Sequence, residues 1–209
     1  MATFLRPLSY RYQWLYDSIA AIAALAVGGE ARFRQLALEG IAIEPDTPVL
    51  DLCCGAGPVT AILAARSQQV TALDASPKAI ARAQANVPQA QYVEAFAEAM
   101  PFEAGQFAVV HTSAALHEMQ PGQRQQILSE VYRVLQAGGI FTLIDFHPPT
   151  NPILWPGLAT FLWLFETETS WQLLASDLVK QLKEAGFTTC EQRLYAGGSL
   201  QVVQAHKAE

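Results

Sequence analysis

Charge is scarce in this chain: Asp, Glu, Lys and Arg make up 15% of its 209 residues, and 13 Lys+Arg face 19 Asp+Glu for a formal net charge of −6. With no excess of cations, and no run of Lys or Arg, there is little to neutralise phosphates, which excludes general nucleic-acid binding by surface charge. Cysteine is scarce as well. The three thiols, Cys53, Cys54 and Cys190, give neither an even disulfide framework nor a CxxC spacing, so a reducing compartment and no metal site are expected. Long apolar runs are missing: the stretch from Ile19 to Val27 is too short, and the one from Ile153 to Phe165 is broken by Pro156, Gly157 and Thr160. A spanning helix needs about 20 apolar residues, so no transmembrane segment is expected. The opening MATFLRPLSYRYQWLYDS lacks a signal peptide's continuous apolar core and small-residue cleavage site, which makes the cytoplasm the expected location.

What the chain does have is apolar side chains, at 51% of positions, and so many with so little charge rule out disorder. The length suits one domain, residues 1–209. From Tyr12 to Val27 apolar residues recur at three- and four-residue steps, predicting an amphipathic helix that ends at Gly28-Gly29, and a second helix is expected from Glu30 to Glu39. Thereafter apolar strand-like runs alternate with helix-like segments. Strands are expected at 49–54, 70–74, 91–95, 107–113 and 139–146, with helices at 60–67, 77–86 and 123–136. Such alternation implies a parallel sheet covered by helices on both faces. The proline-rich HPPTNPILWPG (147–157) predicts irregular structure, followed by an apolar stretch to Trp171 and a helix from Leu174 to Ala185. Two last strands, 187–195 and 200–207, flank Gly197-Gly198 as a hairpin, so the final strand should run antiparallel.

The most informative segment is VLDLCCGAGPVT (49–60). A buried strand runs into Gly55-Ala56-Gly57 and then a helix, a tight turn that lets a ligand reach the backbone. Thr60 stands where the dinucleotide fingerprint has its third glycine, and no Walker lysine follows, so the loop suits a nucleoside without a pyrophosphate and disfavours a nicotinamide dehydrogenase. Asp74 ends the second strand seventeen positions beyond Gly57, about where a carboxylate accepts two ribose hydroxyls. Asp51 lies inside the first strand. A buried carboxylate needs a cation or several donors, and a sulfonium or an ammonium would serve. The plainer readings are an ordinary strand-to-helix turn, a helix-capping Asp74 and a hydrogen-bonded core acid at Asp51; together and in this alternating order, the three point to a cofactor site.

These residues resemble the class I S-adenosylmethionine-dependent methyltransferases, and the resemblance covers nearly the whole chain. VLDLCCGAG is similar to the family's first motif and ALDASPKAI to its second; EAFAEAMPF (94–102) resembles the adenine loop, FAVVHTSAALHEM (107–119) the fourth motif, and VYRVLQAGGIFTLIDF (131–146) the run into the fifth strand. The resemblance implies an α/β Rossmann-like fold with a mostly parallel seven-stranded sheet and an antiparallel final strand. It further implies S-adenosyl-L-methionine as cofactor, S-adenosyl-L-homocysteine as product, and cofactor contacts from Asp51, Gly55, Ala56, Gly57, Asp74, Ala75, Phe96, Ala97 and Ser113. Phe96 stands where the family carries Asp or Asn, so stacking, or a backbone contact at Ala97, would replace a side-chain bond to adenine. Ala108 stands where the fourth motif has Asp. The two ends of the chain are most similar to the ubiquinone/menaquinone C-methyltransferases, whose long insert after the fifth strand is shorter here, at 147–171.

Methyl transfer needs an oriented acceptor and the exclusion of water rather than a protein nucleophile. Where the acceptor is a phenol or an enolisable carbon a base helps, and His117, just beyond the fourth strand and with an ordinary pKa near 6.5, is the candidate; a hydrogen-bonded structural histidine is the plainer reading. Asp145 and His147 end the fifth strand, where open α/β sheets carry ligands, and with Tyr16 and Trp155 they are the candidate acceptor contacts. His111, inside a strand, reads as a satisfied core residue. The aromatics of the helical N-terminal region, 1–44, and of the insert would roof an apolar, quinone-like or lipid-like small-molecule acceptor. A polar metabolite as acceptor, or a cofactor-binding module without catalysis, are the alternatives. The oligomeric state is left open, as is contact with a membrane surface.

Overall fold

A computed structural model describes residues 27–209, so Tyr16 and all but the last residue of the expected helix at 12–27 lie outside the described residues. In chain order the main elements are α1 (Glu30–Leu36), β1 (Val49–Leu52), α2 (Pro58–Ala64), β2 (Val70–Asp74), α3 (Pro77–Asn86), β3 (Gln91–Glu94), β4 (Phe107–Ser113), α4 (Pro121–Val134) and β5 (Leu135–Phe146). After them come α5 (Trp155–Phe165), α6 (Glu168–Leu174), α7 (Leu178–Glu184), β6 (Thr189–Tyr195) and β7 (Leu200–His206). The seven strands form one sheet in the order β3-β2-β1-β4-β5-β7-β6. β7 pairs antiparallel with both β5 and β6, while the pairs among β1 to β5 are parallel. The expected sheet is therefore present.

The apolar runs become strands because helices cover both faces, leaving no face for a polar alternation. All four residues of β1 are buried, and β2 is buried up to its last residue, Asp74. The main core joins Leu50, Leu52 and Leu73 to Phe107, Val110, Ile127, Leu128 and Phe141, each contributing on the order of 1.5–3 kcal/mol by leaving water. Around Val134 the chain passes from α4 into β5 through a double glycine whose second member is sterically required: a Cβ on Gly139 would lie 2.9 Å from the Gln136 carbonyl oxygen and 3.1 Å from that of Ala108. Arg133, at the end of α4, donates to Glu130 and to the carbonyls of Phe102 and Met100, and Glu130 accepts from the Met100 N–H. This clamp fixes the loop after β3 against α4.

Two expectations are corrected. The proline-rich stretch is largely helical: a 3₁₀ turn at Pro152–Leu154 leads into α5, which tolerates Pro156 because the first turn of a helix has no internal partner for that N–H. The expected helix from Leu174 to Ala185 is two helices, because Asp177 turns its side chain onto the Lys180 N–H and caps α7. Smaller shifts follow the same logic, α2 and α4 beginning at Pro58 and Pro121 rather than at 60 and 123.

Candidate functional site

Because β1, β2, β4 and β5 are parallel neighbours, their carboxyl ends lie along one edge of the sheet, the edge where open α/β sheets bind ligands. At the end of β1 the chain turns through Cys53, Gly55 and Gly57, all at positive φ. Gly57 is the constrained position, since its φ is +83° and a Cβ there would sit 3.2 Å from that of Ala83 in α3. Over Gly55, by contrast, a Cβ would stand in open space. The loop is held to β2 by Asp74, whose Oδ2 accepts from the Gly55 N–H at 2.9 Å and whose Oδ1 accepts from the Ser76 N–H at 2.9 Å. Each oxygen keeps acceptor capacity for a further donor.

Asp51 is buried and accepts a hydrogen bond from the Thr60 hydroxyl at 2.6 Å, so the residue that breaks the dinucleotide fingerprint serves the strand acid. Burial lifts its pKa to about 7; the Thr60 bond opposes this and the charge of Asp74 adds to it. The Thr60 hydroxyl is a neutral partner, so ionised Asp51 carries a charge that a sulfonium or ammonium would balance. Asn86 donates to the Ala56 carbonyl. Ala75 is exposed beside Asp74. Beyond β3, Phe96 is 64% exposed while Ala97 is packed into the main core, so only the phenyl ring is open to a ligand's face.

After β4, Ser113 is half-buried and Ala114 takes a positive φ of 50°, its N–H donating to the Ile144 carbonyl; this throws the following 3₁₀ turn, Leu116–Glu118, over the end of β5. There His117 and Asp145 meet. Both are buried, with Nδ1 of the ring 2.7 Å from Oδ1 and the His117 backbone N–H donating to Oδ2 at 3.2 Å. On the other side of the ring Nε2 lies 3.6 Å from Oε2 of Glu166, at the end of α5. Burial pulls the His117 pKa down, but the charge of Asp145, the hydrogen bond to it, and the charges of Glu166 and Glu118 outweigh that and carry it up to about 9. The expectation of an ordinary imidazole pKa is corrected accordingly: near neutral pH the ring is an imidazolium, with a proton to donate on each nitrogen.

The other acceptor-side candidates are not all in this corner. His147 places Nδ1 against the Pro148 and Gly198 carbonyls at 2.7 and 2.9 Å and lines a cavity of about 240 Å³ with Ser176, Asp177, Gln192 and Gln201. Trp155, at the start of α5, is 36% exposed. His111 is fully buried and its ring nitrogens make no hydrogen bond among the described residues, so it is a core residue but not a satisfied one; burial lowers its pKa to about 4. Two charged residues escape a reading of the sequence. Glu166 is brought to His117 only by the fold of the insert, and Arg124, fully buried, donates from Nη1 to Ser176 at 3.4 Å and lies within the charge field of Asp145.

Comparison with known proteins decides what this edge belongs to. A methyltransferase-domain family model matches residues 49–139, the span from β1 into β5. An uncharacterised methyltransferase of Synechocystis sp. is 57% identical over 205 residues, covering 98% of this chain and 97% of its own. A 2-phytyl-1,4-naphthoquinone methyltransferase of Thermosynechococcus vestitus is 32% identical, covering 72% of this chain and 68% of its own. The chain is a class I S-adenosylmethionine-dependent methyltransferase. The solved structure of an S-adenosylmethionine-dependent methyltransferase from Mesorhizobium loti shares its fold, with a TM-score of 0.63 and 18% identity, covering 83% of this chain and 98% of that one.

The residues of this methyltransferase fit its cofactor: there is room over Gly55, an Asp74 carboxylate with acceptor capacity to spare, and a buried acid at Asp51. The cysteines take no part in redox chemistry here, since burial pushes the Cys53 thiol up to about 12 and raises that of Cys54 as well, and all three are free. His117, Glu118 and Glu166 bring one ligand atom each within 4.8 Å, a grouping that sequence spacing could not show. Among the described residues no helix is long and apolar enough to cross a membrane.

Proposed function

We propose that this methyltransferase acts on a small, apolar, quinone-like acceptor bound between the carboxyl ends of β4 and β5 and the insert. The observation that carries this reading is the buried His117–Asp145 pair, on the same sheet edge as the glycine loop and flanked by the rings of Phe146 and Phe161, whose centroids are 5.9 Å apart. Its relatives include methyltransferases of phytyl-naphthoquinone and demethylmenaquinone, which supports the same acceptor class.

S-adenosylmethionine, when bound, supplies an electrophilic methyl group. In this reading Asp74 holds the ribose hydroxyls, Gly55, Ala56 and Gly57 let the cofactor reach the backbone, and Asp51 balances its positive charge. Ala75, Ser113 and the backbone at Ala97 line its adenosine end, with Phe96 against the adenine. Asp145 fixes the His117 ring and its Nδ1 proton. His117 then presents an Nε2–H to the acceptor's ionised oxygen and holds that charge while the methyl is transferred. Here His117 is a donor to an oxyanion, and it serves as a base only once it has lost its proton. His147 and Trp155 contact the acceptor from the insert side, and residues 1–44 with 147–171 form the lid, to which Tyr16 belongs. Exposed Ile153 and Trp163 on the insert, at 81% and 54%, suit a surface that touches the membrane holding such an acceptor. A cytoplasmic location and the absence of a nucleic-acid partner belong to the same proposal.

Radiolabelled methyl transfer tests it. Label is expected in a prenylated naphthoquinol or a quinone extract and not in polar metabolites. Label in a polar metabolite would replace the acceptor class, and silence with normal S-adenosylhomocysteine binding would leave a cofactor-binding module.

A further inference from the structure

We propose that the Glu166 carboxylate is a placeholder for the acceptor's oxyanion at His117 Nε2, and that the acceptor enters as an ionised aromatic hydroxyl that displaces it. This rests on the acceptor reading above and adds to it the charge state of the substrate and the residue that selects it.

The ring of His117 is fixed from behind. Asp145 takes Nδ1 at 2.7 Å, the backbone N–H binds the same carboxylate, and the Phe146 ring lies 4.5 Å away, centroid to centroid. Only Nε2 is left to meet a ligand. It faces Oε2 of Glu166 at 3.6 Å, close enough for charge attraction and too far for a made hydrogen bond. A carboxylate oxygen therefore marks the direction from which an anion approaches, without closing the bond that a better-placed oxygen could make. The phenyl rings of Phe161 and Phe165, 5.5 Å apart, continue from Phe146 along α5 beside Glu166. That flank suits a flat aromatic body carrying the charged oxygen.

Displacement has a structural route. Glu166 ends α5, and the hydroxyl of Ser170 in α6 lies 3.4 Å from Oε2 and 3.3 Å from the His117 carbonyl oxygen, so one side chain ties the joint of the insert to the histidine. An anion that takes Nε2 repels Glu166 and loosens that joint, whereas a neutral ligand of the same shape does neither. The exchange moves no proton: His117 keeps both of its own.

Binding to the full chain saturated with S-adenosylhomocysteine tests this, with 2-hydroxy-1,4-naphthoquinone, ionised at neutral pH, and uncharged 1,4-naphthoquinone as probes. Glu166→Gln should tighten the anion by about tenfold, the size of one removed like charge near a protein surface, and change the neutral probe less than about twofold. Glu166→Asp, which keeps the charge, should leave the anion near its wild-type affinity, and His117→Gln added to Glu166→Gln should abolish the preference. Should Glu166→Gln not fold, Ser170→Ala frees the same carboxylate and should favour the anion in the same sense. Equal changes for both probes, no change, or a gain that vanishes with EDTA and so belongs to a divalent cation on His117, Glu118 and Glu166, would each overturn the proposal. Absent methyl transfer to quinols with this discrimination intact would remove the acceptor reading and leave the placeholder standing.

Discussion

The hydroxyl of Thr60 donates a 2.6 Å hydrogen bond to the carboxylate of Asp51, joining the first turn of α2 to the middle of β1 across the glycine loop. Both ends of the loop are thus fastened beneath the cofactor site, and the acid that joins them has its pKa raised to about 7 by burial. Its charge is therefore adjustable in the physiological range. A cation arriving above it shifts the balance toward the carboxylate.

Cofactor binding should consequently release protons. Below pH 7 Asp51 is mostly protonated in the free protein, and a positively charged cofactor binds the ionised form better, so affinity for S-adenosylmethionine should rise as pH climbs from about 6 to about 8. Calorimetry in two buffers of different ionisation enthalpy measures the released protons directly. Asp51→Asn should bind on the order of ten- to a hundredfold more weakly, by loss of a charge-assisted contact, and without the pH dependence. Equal heats in both buffers at about pH 6.5 would remove Asp51 from the cofactor's charge balance.

Asp74 has two duties that substitution can separate. It fastens the loop by accepting from Gly55 and Ser76, and in the proposed site its spare lone pairs take the ribose hydroxyls. Asp74→Ala should lower S-adenosylhomocysteine affinity by about a hundredfold or more, two hydrogen bonds to a charged acceptor being worth about 1.5–3 kcal/mol each. A 2′-deoxyribose analogue of the ligand should lose affinity in the wild type and lose nothing further in the variant. Additive losses would confine Asp74 to the loop.

Gly57 is a packing constraint as much as a conformational one. Its φ of +83° disfavours any L side chain, and the Ala83 Cβ 3.2 Å from where its own would stand blocks α3 from yielding. Gly57→Val should destabilise the fold by about 2–3 kcal/mol, from strain and overpacking, in chemical denaturation. Adding Ala83→Gly should return part of that loss, because it removes the clash but not the strain. A double variant no better than the single would place the whole effect in the backbone angle.

The elements that can be read from the sequence are those whose signal is local. The strand at 107–113 and the helix at 77–86 have the expected bounds, one as an apolar run closed by turns and the other as a periodic segment opened by Ser76-Pro77. Asp74 is legible because its distance from Gly57 is set by one βα unit. Glu166 is not, because the insert that carries it has no periodic relation to β4, and its place opposite His117 exists only once α5 folds back over the sheet. Pro156 and Gly157 conceal that helix, since in sequence a breaker and a first-turn residue look alike. Thr60 reads in sequence as a departure from a glycine pattern, and its use becomes visible only with Asp51 beneath it. The His117 pKa is likewise a property of the assembled corner: the ring type is visible, and the three carboxylates around it are scattered along the chain.

That corner should set how stability depends on alkaline pH. With a folded-state pKa of about 9 against an ordinary 6.5, His117 holds its proton more tightly in the native chain than in the unfolded one. The resulting stabilisation is complete below pH 6.5 and is lost as pH rises to 9; each tenfold in proton affinity is worth about 1.4 kcal/mol, which makes the whole loss up to about 3 kcal/mol. Two other buried groups act mostly at lower pH. The raised pKa of Asp51, about 7, lowers stability from about pH 3.8 to 7, and the lowered pKa of His111, about 4, raises it from pH 4 to 6.5. Between about pH 7 and 9 the slope therefore belongs mainly to His117. Urea denaturation across that window should show wild-type stability falling with pH. His117→Gln should be less stable at about pH 7 and nearly flat from there to about 9, converging on the wild type at the alkaline end. A variant that keeps the wild-type slope would mean that the His117–Asp145 pair does not hold the proton.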